Sequence, residues 1–200
     1  MLTVYIHGAT ATAQSFNYIR DLLQGQDLAL EYDSEHGFQN NLDEMSERIG
    51  KKSGNLFFVG HSLGGIYAIS LAERFKSRTL GGVTISTPYG GSEIAPFLKH
   101  FVPFNRLLKE IGPDSEPIDH CKEIELSVPW CNIVTTRGSS PWIAQPNDGV
   151  VTVASQHAQE GIDYIEIASN HYEILMDPEC VQLIQQRRRQ AEIVHQARNK

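Results

Sequence analysis

The stretch Asn55-Leu56-Phe57-Phe58-Val59-Gly60-His61-Ser62-Leu63-Gly64-Gly65-Ile66-Tyr67-Ala68 joins an apolar run to G-x-S-x-G and then to an apolar pattern of helical spacing. In that order the residues specify a strand, a sharp turn and a helix, with Ser62 at the apex. A serine on such a turn sits in strained backbone, and its neighbours two before and two after crowd each other, which leaves room for hydrogen in place of a side chain. Gly60 and Gly64 meet that demand. The helix that begins after Ser62 turns unpaired N–H groups and the positive end of its dipole toward the apex, where they stabilise developing negative charge. An acyl-transfer intermediate carries such a charge, so Ser62 is a candidate nucleophile. A buried turn whose serine only caps a helix would leave the same pentapeptide, and the rest of the chain has to decide between the two.

Short apolar segments at 2–6, 28–32, 56–59, 83–86, 132–135 and 164–167 are rich in β-branched or aromatic residues and predict strands. Between them lie stripes of helical spacing: Phe16, Ile19, Leu22 and Leu23; Leu42, Met45 and Ile49; Ile66, Ile69 and Leu71. This alternation predicts one α/β domain over residues 1–200, a three-layer α/β/α sandwich on a mostly parallel sheet of about six strands. Ligands of such sheets gather beyond the carboxyl ends of the strands. The segment 89–129 departs from the pattern as a short helical insertion, with Phe97, Phe101, Phe104, Leu108 and Ile111 spaced by four, three, four and three and Pro103 as a breaker. It reads either as a lid whose apolar residues face an acyl chain or as ordinary packing on the sheet.

Charge and cysteine content narrow the setting. The formal charge of -7 argues against a protein that binds nucleic acid over its whole surface. Residues 187–200 run against that trend, with five basic residues and one acidic. Arg187-Arg188-Arg189 is a solvated C-terminal helix or tail, or a peripheral contact for anionic membrane. No export signal is expected, because Met1-Leu2 runs directly into the β-like segment, and no apolar run approaches a membrane span. Cys121, Cys131 and Cys180 form an odd set without metal-ligand spacing, which suits a reducing, cytoplasmic setting.

A serine nucleophile needs a base to take its proton and a carboxylate to orient the base. After the fifth predicted strand comes Asn147-Asp148-Gly149-Val150-Val151, and after the sixth Ser169-Asn170-His171. Both candidates fall just past a strand's carboxyl end. Asp148 is preferred over Asp163, which would lie at an amino end, and over Asp114 and Asp119 in the insertion; His171 is preferred over His61, which neighbours Ser62 but points away from it. The oxyanion would be held by the amides of Leu63 and of Ala9, or Thr10 in its place, in the loop His7-Gly8-Ala9-Thr10. No metal or organic cofactor is called for. Phe97, Phe101, Trp130 and Trp142 are candidate walls of an acyl pocket, or core.

Ile6-His7-Gly8, Gly60-His61-Ser62-Leu63-Gly64-Gly65, Thr87-Pro88-Tyr89-Gly90-Gly91-Ser92, Asp148-Gly149-Val150-Val151 and Asn170-His171 resemble the successive blocks of the α/β-hydrolase lipases and esterases over nearly the whole chain. The proline and Asp-Gly-Val-Val blocks are similar to those of compact bacterial lipases and of the GPI inositol-deacylase-like group. The resemblance implies a minimal hydrolase fold lacking the family's first two strands, and hydrolysis of small-molecule or lipid carboxylic esters through a Ser62-Asp148-His171 triad. Tyr89 stands where the family block has histidine, which leaves local packing in question. A thioesterase, amidase or acyltransferase would use the same triad, and a binding protein could keep the fold without turnover.

Overall fold

The structure, a computed structural model, describes residues 1–33, 35–91 and 112–198. The six apolar segments form strands β1 (Leu2–Ile6), β2 (Asp27–Leu30), β3 (Leu56–His61), β4 (Thr79–Ile85), β5 (Trp130–Thr135) and β6 (Asp163–Ile167). They pair in one parallel sheet in the order β2-β1-β3-β4-β5-β6. Helices α1 (Asn17–Leu23), α2 (Phe38–Gly50), α3 (Leu63–Arg74), α4 (Glu116–Glu123), α5 (Val153–Gln156) and α6 (Pro178–Arg198) fill the connections. On one face Leu42, Met45 and Ile49 of α2 and Ile66 and Ile69 of α3 pack over Val4 and Phe58; on the other Ile19 of α1 and Ile184 of α6 pack over Tyr5, Phe57 and Val59. Strand residues alternate between the two cores, and with both faces covered every residue of β3, β4 and β5 is buried.

The departures from the sequence pattern have local causes. β4 begins four residues before the expected 83–86, because Gly81 and Gly82 disguise its first half. A methyl group on Gly82 would lie 2.5 Å from the Trp130 ring, so the glycine makes room for that indole. Trp130 is thereby fixed in the core at the first residue of β5, at the amino end of the sheet, and is no acyl-pocket wall. Leu22 breaks from its stripe and is exposed, while Phe16 and Ile19 are fully buried. Tyr89, in the position that left packing open, is fully buried; its hydroxyl lies 2.8 Å from Thr84 Oγ1 and accepts from Trp130 Nε1 at 3.2 Å. At the β2 edge Arg48 donates to the carbonyls of Glu31 and Ala29, which covers part of an open edge. Phe97 and Phe101, with the rest of residues 92–111 of the 89–129 insertion, lie outside the described residues.

The turn at Ser62 depends on close backbone approach. A methyl group on Gly64 would stand 2.0 Å from the Ile6 carbonyl oxygen and 2.5 Å from that of His7, and one on Gly60 would stand 2.5 Å from the Gly64 carbonyl oxygen. Backbone cannot rotate away as a side chain can. Gly64→Ala should therefore cost about 3 kcal/mol of unfolding free energy. Gly50→Ala, at the end of α2 with open space where the methyl would go, should add about 0.5–1 kcal/mol. Urea denaturation of the two variants checks the opposite signs.

Candidate active site

Ser62 stands between β3 and α3 with φ 53°, the left-handed region that non-glycine residues enter at a cost. Its amide donates to the Ile85 carbonyl at 2.8 Å, and its carbonyl accepts from Gly65 N–H at 2.9 Å, so the strained turn is tied to the neighbouring strand and to the helix. The loop after β1 closes over it. A methyl group on Gly8 would lie 3.1 Å from Ser62 Cβ and 3.0 Å from His61 Nδ1. Ala9 follows half-buried and Thr10 exposed, the latter with φ 60°. Among the described residues neither the Ala9 nor the Leu63 amide has a hydrogen-bond partner.

Asp148 and His171 come together from the loops after β5 and β6. His171 Nδ1 donates to Asp148 Oδ2 at 2.7 Å, with both side chains buried. The His171 amide also donates to the Asp148 carbonyl at 3.1 Å, so the two loops are joined by backbone as well. A proton on Nδ1 leaves Nε2 of a neutral ring with its lone pair free. Asp148 is held from several sides: Thr135 Oγ1 donates to Oδ2 at 2.6 Å, and the Val150 and Val151 amides donate to Oδ1 at 3.0 and 2.8 Å. Burial alone would raise its pKa, but His171, Thr135 and the Val151 amide together hold the carboxyl below the usual range.

Three further residues shape this arrangement. His61 is buried: its ring lies 4.9 Å from that of His171, and Nε2 donates to the His171 carbonyl at 2.8 Å. Burial, then the neighbouring His171, pushes the His61 pKa down to about 3, so it acts as a neutral donor. Gln156 on α5 clasps Thr135, accepting from its amide at 2.9 Å and donating to its carbonyl at 3.0 Å, and reaches Asp148 Oδ2 at 3.4 Å. Thr135 and Gln156 sit in no motif; their position follows only from which residues face one another at the end of β5.

The remaining expectations fall apart from this cluster. Asp163 begins β6 and pairs with Arg187 at 2.5 Å, while Asp114 and Asp119 are exposed. Trp142 is an exposed residue of the loop that leads to Asp148, 59% accessible. A cavity of about 510 Å³ opens between α2, α3 and α4, lined by Phe38, Arg74, Pro117 and others, and contains none of the residues above. Among the described residues no group of acidic, histidine or cysteine side chains is placed to hold a metal ion, and no helix is long and apolar enough to cross a membrane.

No protein-family model matches the chain, and no curated protein matches it. Solved structures do. A metagenomic carboxyl esterase superposes with a TM-score of 0.71 at 16% identity, over 87% of this chain and 65% of its own. The phospholipase PlaB from Legionella pneumophila gives 0.71 at 10% identity, over 92% of this chain and 58% of its own. In both comparisons the chain spans less than two thirds of the other protein's length. An extracellular alpha/beta-hydrolase from a Paenibacillus species gives 0.65 at 14% identity, over 96% and 98% of the two chains. With a parallel six-stranded sheet between two helical layers and these neighbours, the chain has the α/β-hydrolase fold.

Proposed function

We propose that the protein is a serine hydrolase that cleaves carboxylic esters through an acyl-enzyme on Ser62. The observation that carries this reading is the buried 2.7 Å bond between His171 Nδ1 and Asp148 Oδ2, formed beside the left-handed turn that bears Ser62. Ester hydrolysis by several proteins of similar fold supports the same class of reaction. His171 Nε2 takes the Ser62 hydroxyl proton as Oγ attacks the ester carbonyl carbon, and the carbonyl π electrons move onto oxygen. The Ala9 and Leu63 amides stabilise that oxyanion. When the intermediate collapses, the carbon–oxygen bond to the alcohol breaks and His171 gives its proton to the departing alkoxide. Water, deprotonated by the same ring, then releases the acid and restores Ser62. Asp148 stays ionised throughout, orienting the ring and stabilising its cationic form.

A wall for the acyl chain is proposed on Trp142, whose indole is exposed on the loop before Asp148; Tyr172 and Met176, also exposed, follow His171. Small and lipid esters are both compatible with that edge. Rates on p-nitrophenyl esters from acetate to palmitate separate the two, with matched thioesters and amides alongside to identify the leaving group. Ser62→Ala should lower kcat by about 10⁴-fold or more, and Asp148→Asn by about 10⁴-fold, at the preferred chain length. Wild-type turnover by Ser62→Ala would overturn the mechanism, and absence of fluorophosphonate labelling at Ser62 would favour a binding protein.

The neutral state of His61 has a consequence for stability. Its folded pKa, about 3, lies below the unfolded value of about 6.5, so between those limits the unfolded chain binds the extra proton. The contribution of this residue is complete above about pH 6.5 and is lost as pH falls toward 3. His61→Gln can still donate to the His171 carbonyl but carries no titrating proton. Its urea midpoint should therefore fall less than that of the wild type between about pH 7.5 and about pH 5.

A further inference from the structure

The carbonyl of Gly8 is held twice: His7 Nδ1 donates to it at 2.8 Å and the Ala11 amide at 3.3 Å. No peptide bond in the described chain is cis, so the Ala9 N–H, in the same peptide plane, points opposite to that carbonyl. That amide has no hydrogen-bond partner among the described residues, and the preceding Gly8 lies against Ser62. An unpaired amide whose direction is fixed beforehand is what stabilisation of an oxyanion requires.

We propose that His7 is the positioning residue of the oxyanion hole: by gripping the Gly8 carbonyl it sets the plane of the Gly8–Ala9 peptide and aims the Ala9 amide at the developing charge. The inference rests on the reading of Ser62 as an acyl-transfer nucleophile. What holds His7 is equally specific. Its side chain is 2% exposed, and its ring stacks on Tyr32 with centroids 4.3 Å apart and planes 9° apart. The Tyr32 hydroxyl donates back to the His7 carbonyl at 3.0 Å; burial pushes its pKa well above the ordinary range, so it remains a donor. Glu31 Oε2 stands 3.0 Å from His7 Nε2 without hydrogen-bond geometry. The other oxygen of Glu31 accepts from the Ala13 amide at 2.8 Å. The parallel register explains the meeting: Ile6 pairs with Leu30, so the residues that follow each strand, His7 and Glu31-Tyr32, emerge side by side.

The chemistry predicts a graded series. Asn places an amide N–H near the position of Nδ1, whereas Leu fills the space without a donor. His7→Leu should lower kcat on a p-nitrophenyl ester by about 100-fold, the loss typical of one oxyanion donor, and His7→Asn should lose less. Inhibition by a trifluoromethyl ketone, whose adduct with Ser62 carries the same oxyanion, should weaken by the same factor as kcat while KM changes little. Should His7→Leu unfold, the half-exposed Glu31 carries the test: Glu31→Ala, which removes the polar group beside Nε2, should lose more kcat than Glu31→Gln, which keeps one there. A wild-type kcat and ketone affinity in His7→Leu, or equal values in the two Glu31 variants, overturns the assignment of His7 alone. A wild-type chain that turns over no ester overturns the reading of Ser62, and this inference with it.

Discussion

The backbone of α3 presses against the end of β1 so closely that there is space for hydrogen alone at Gly64. That contact governs the site. It brings the start of α3 against the carbonyls of Ile6 and His7, so that two segments far apart in sequence meet at the turn of Ser62. It also explains how Ser62 persists at φ 53°, a conformation that costs about 1–3 kcal/mol. The Ser62 amide continues the ladder to Ile85, its carbonyl starts the helix at Gly65, and the buried flanks of β3 and α3 leave the turn no alternative path. The strain is held by packing on either side rather than by any contact of the serine itself.

A second constraint lies under Asp148 and His171. From Trp130 Nε1 hydrogen bonds run to the Tyr89 hydroxyl, to Thr84 Oγ1, to Asn132 Oδ1, and from Asn132 Nδ2 to the Gln156 carbonyl. Gln156 clasps Thr135, and Thr135 donates to Asp148. Every side chain in this chain of contacts is buried, where an unmade bond would cost about 1–3 kcal/mol. The ionised Asp148 is therefore the end of a polar ladder that begins in the core at the amino end of β5. Tyr89 is a rung of it. Its ring occupies a core position and its hydroxyl links Trp130 to Thr84.

How much of this could be read from the chain depended on the range of the forces involved. The six strands, the three layers and the turn at Ser62 were legible because local apolar periodicity and two glycines encode them. The pairing of Asp148 with His171 was legible too, since parallel strands put the residues after β5 and β6 at one edge. Thr135 and Gln156 were not, because nothing in the sequence near either one says that it will face a carboxylate. The contact of His61 with His171 was not legible for a different reason: alternation along β3 turns His61 away from the apex, and only the folded loop carrying His171 covers that side as well. Trp130 was hidden by glycine, whose poor strand propensity masks its use as space for an indole.

The basic C-terminal segment takes its meaning from the direction of α6. That helix starts after the loop of His171 and runs 21 residues, about 31 Å, toward the opposite edge of the sheet. There His195 meets Asn55 just before β3, and Arg198 donates to the carbonyl of Ser127 just before β5. Along the way Arg187 pairs with Asp163 at the start of β6, and Arg188 donates to the Gln24 carbonyl before β2. Three of the arginines thus fasten the amino ends of strands and the turns that feed them. An anionic surface gathered by this segment would meet the edge remote from Ser62. The exposed apolar groups Tyr172 and Met176, by contrast, follow His171 directly. The basic segment and the pair Asp148–His171 therefore occupy opposite ends of the sheet, and α6 is the strut between them.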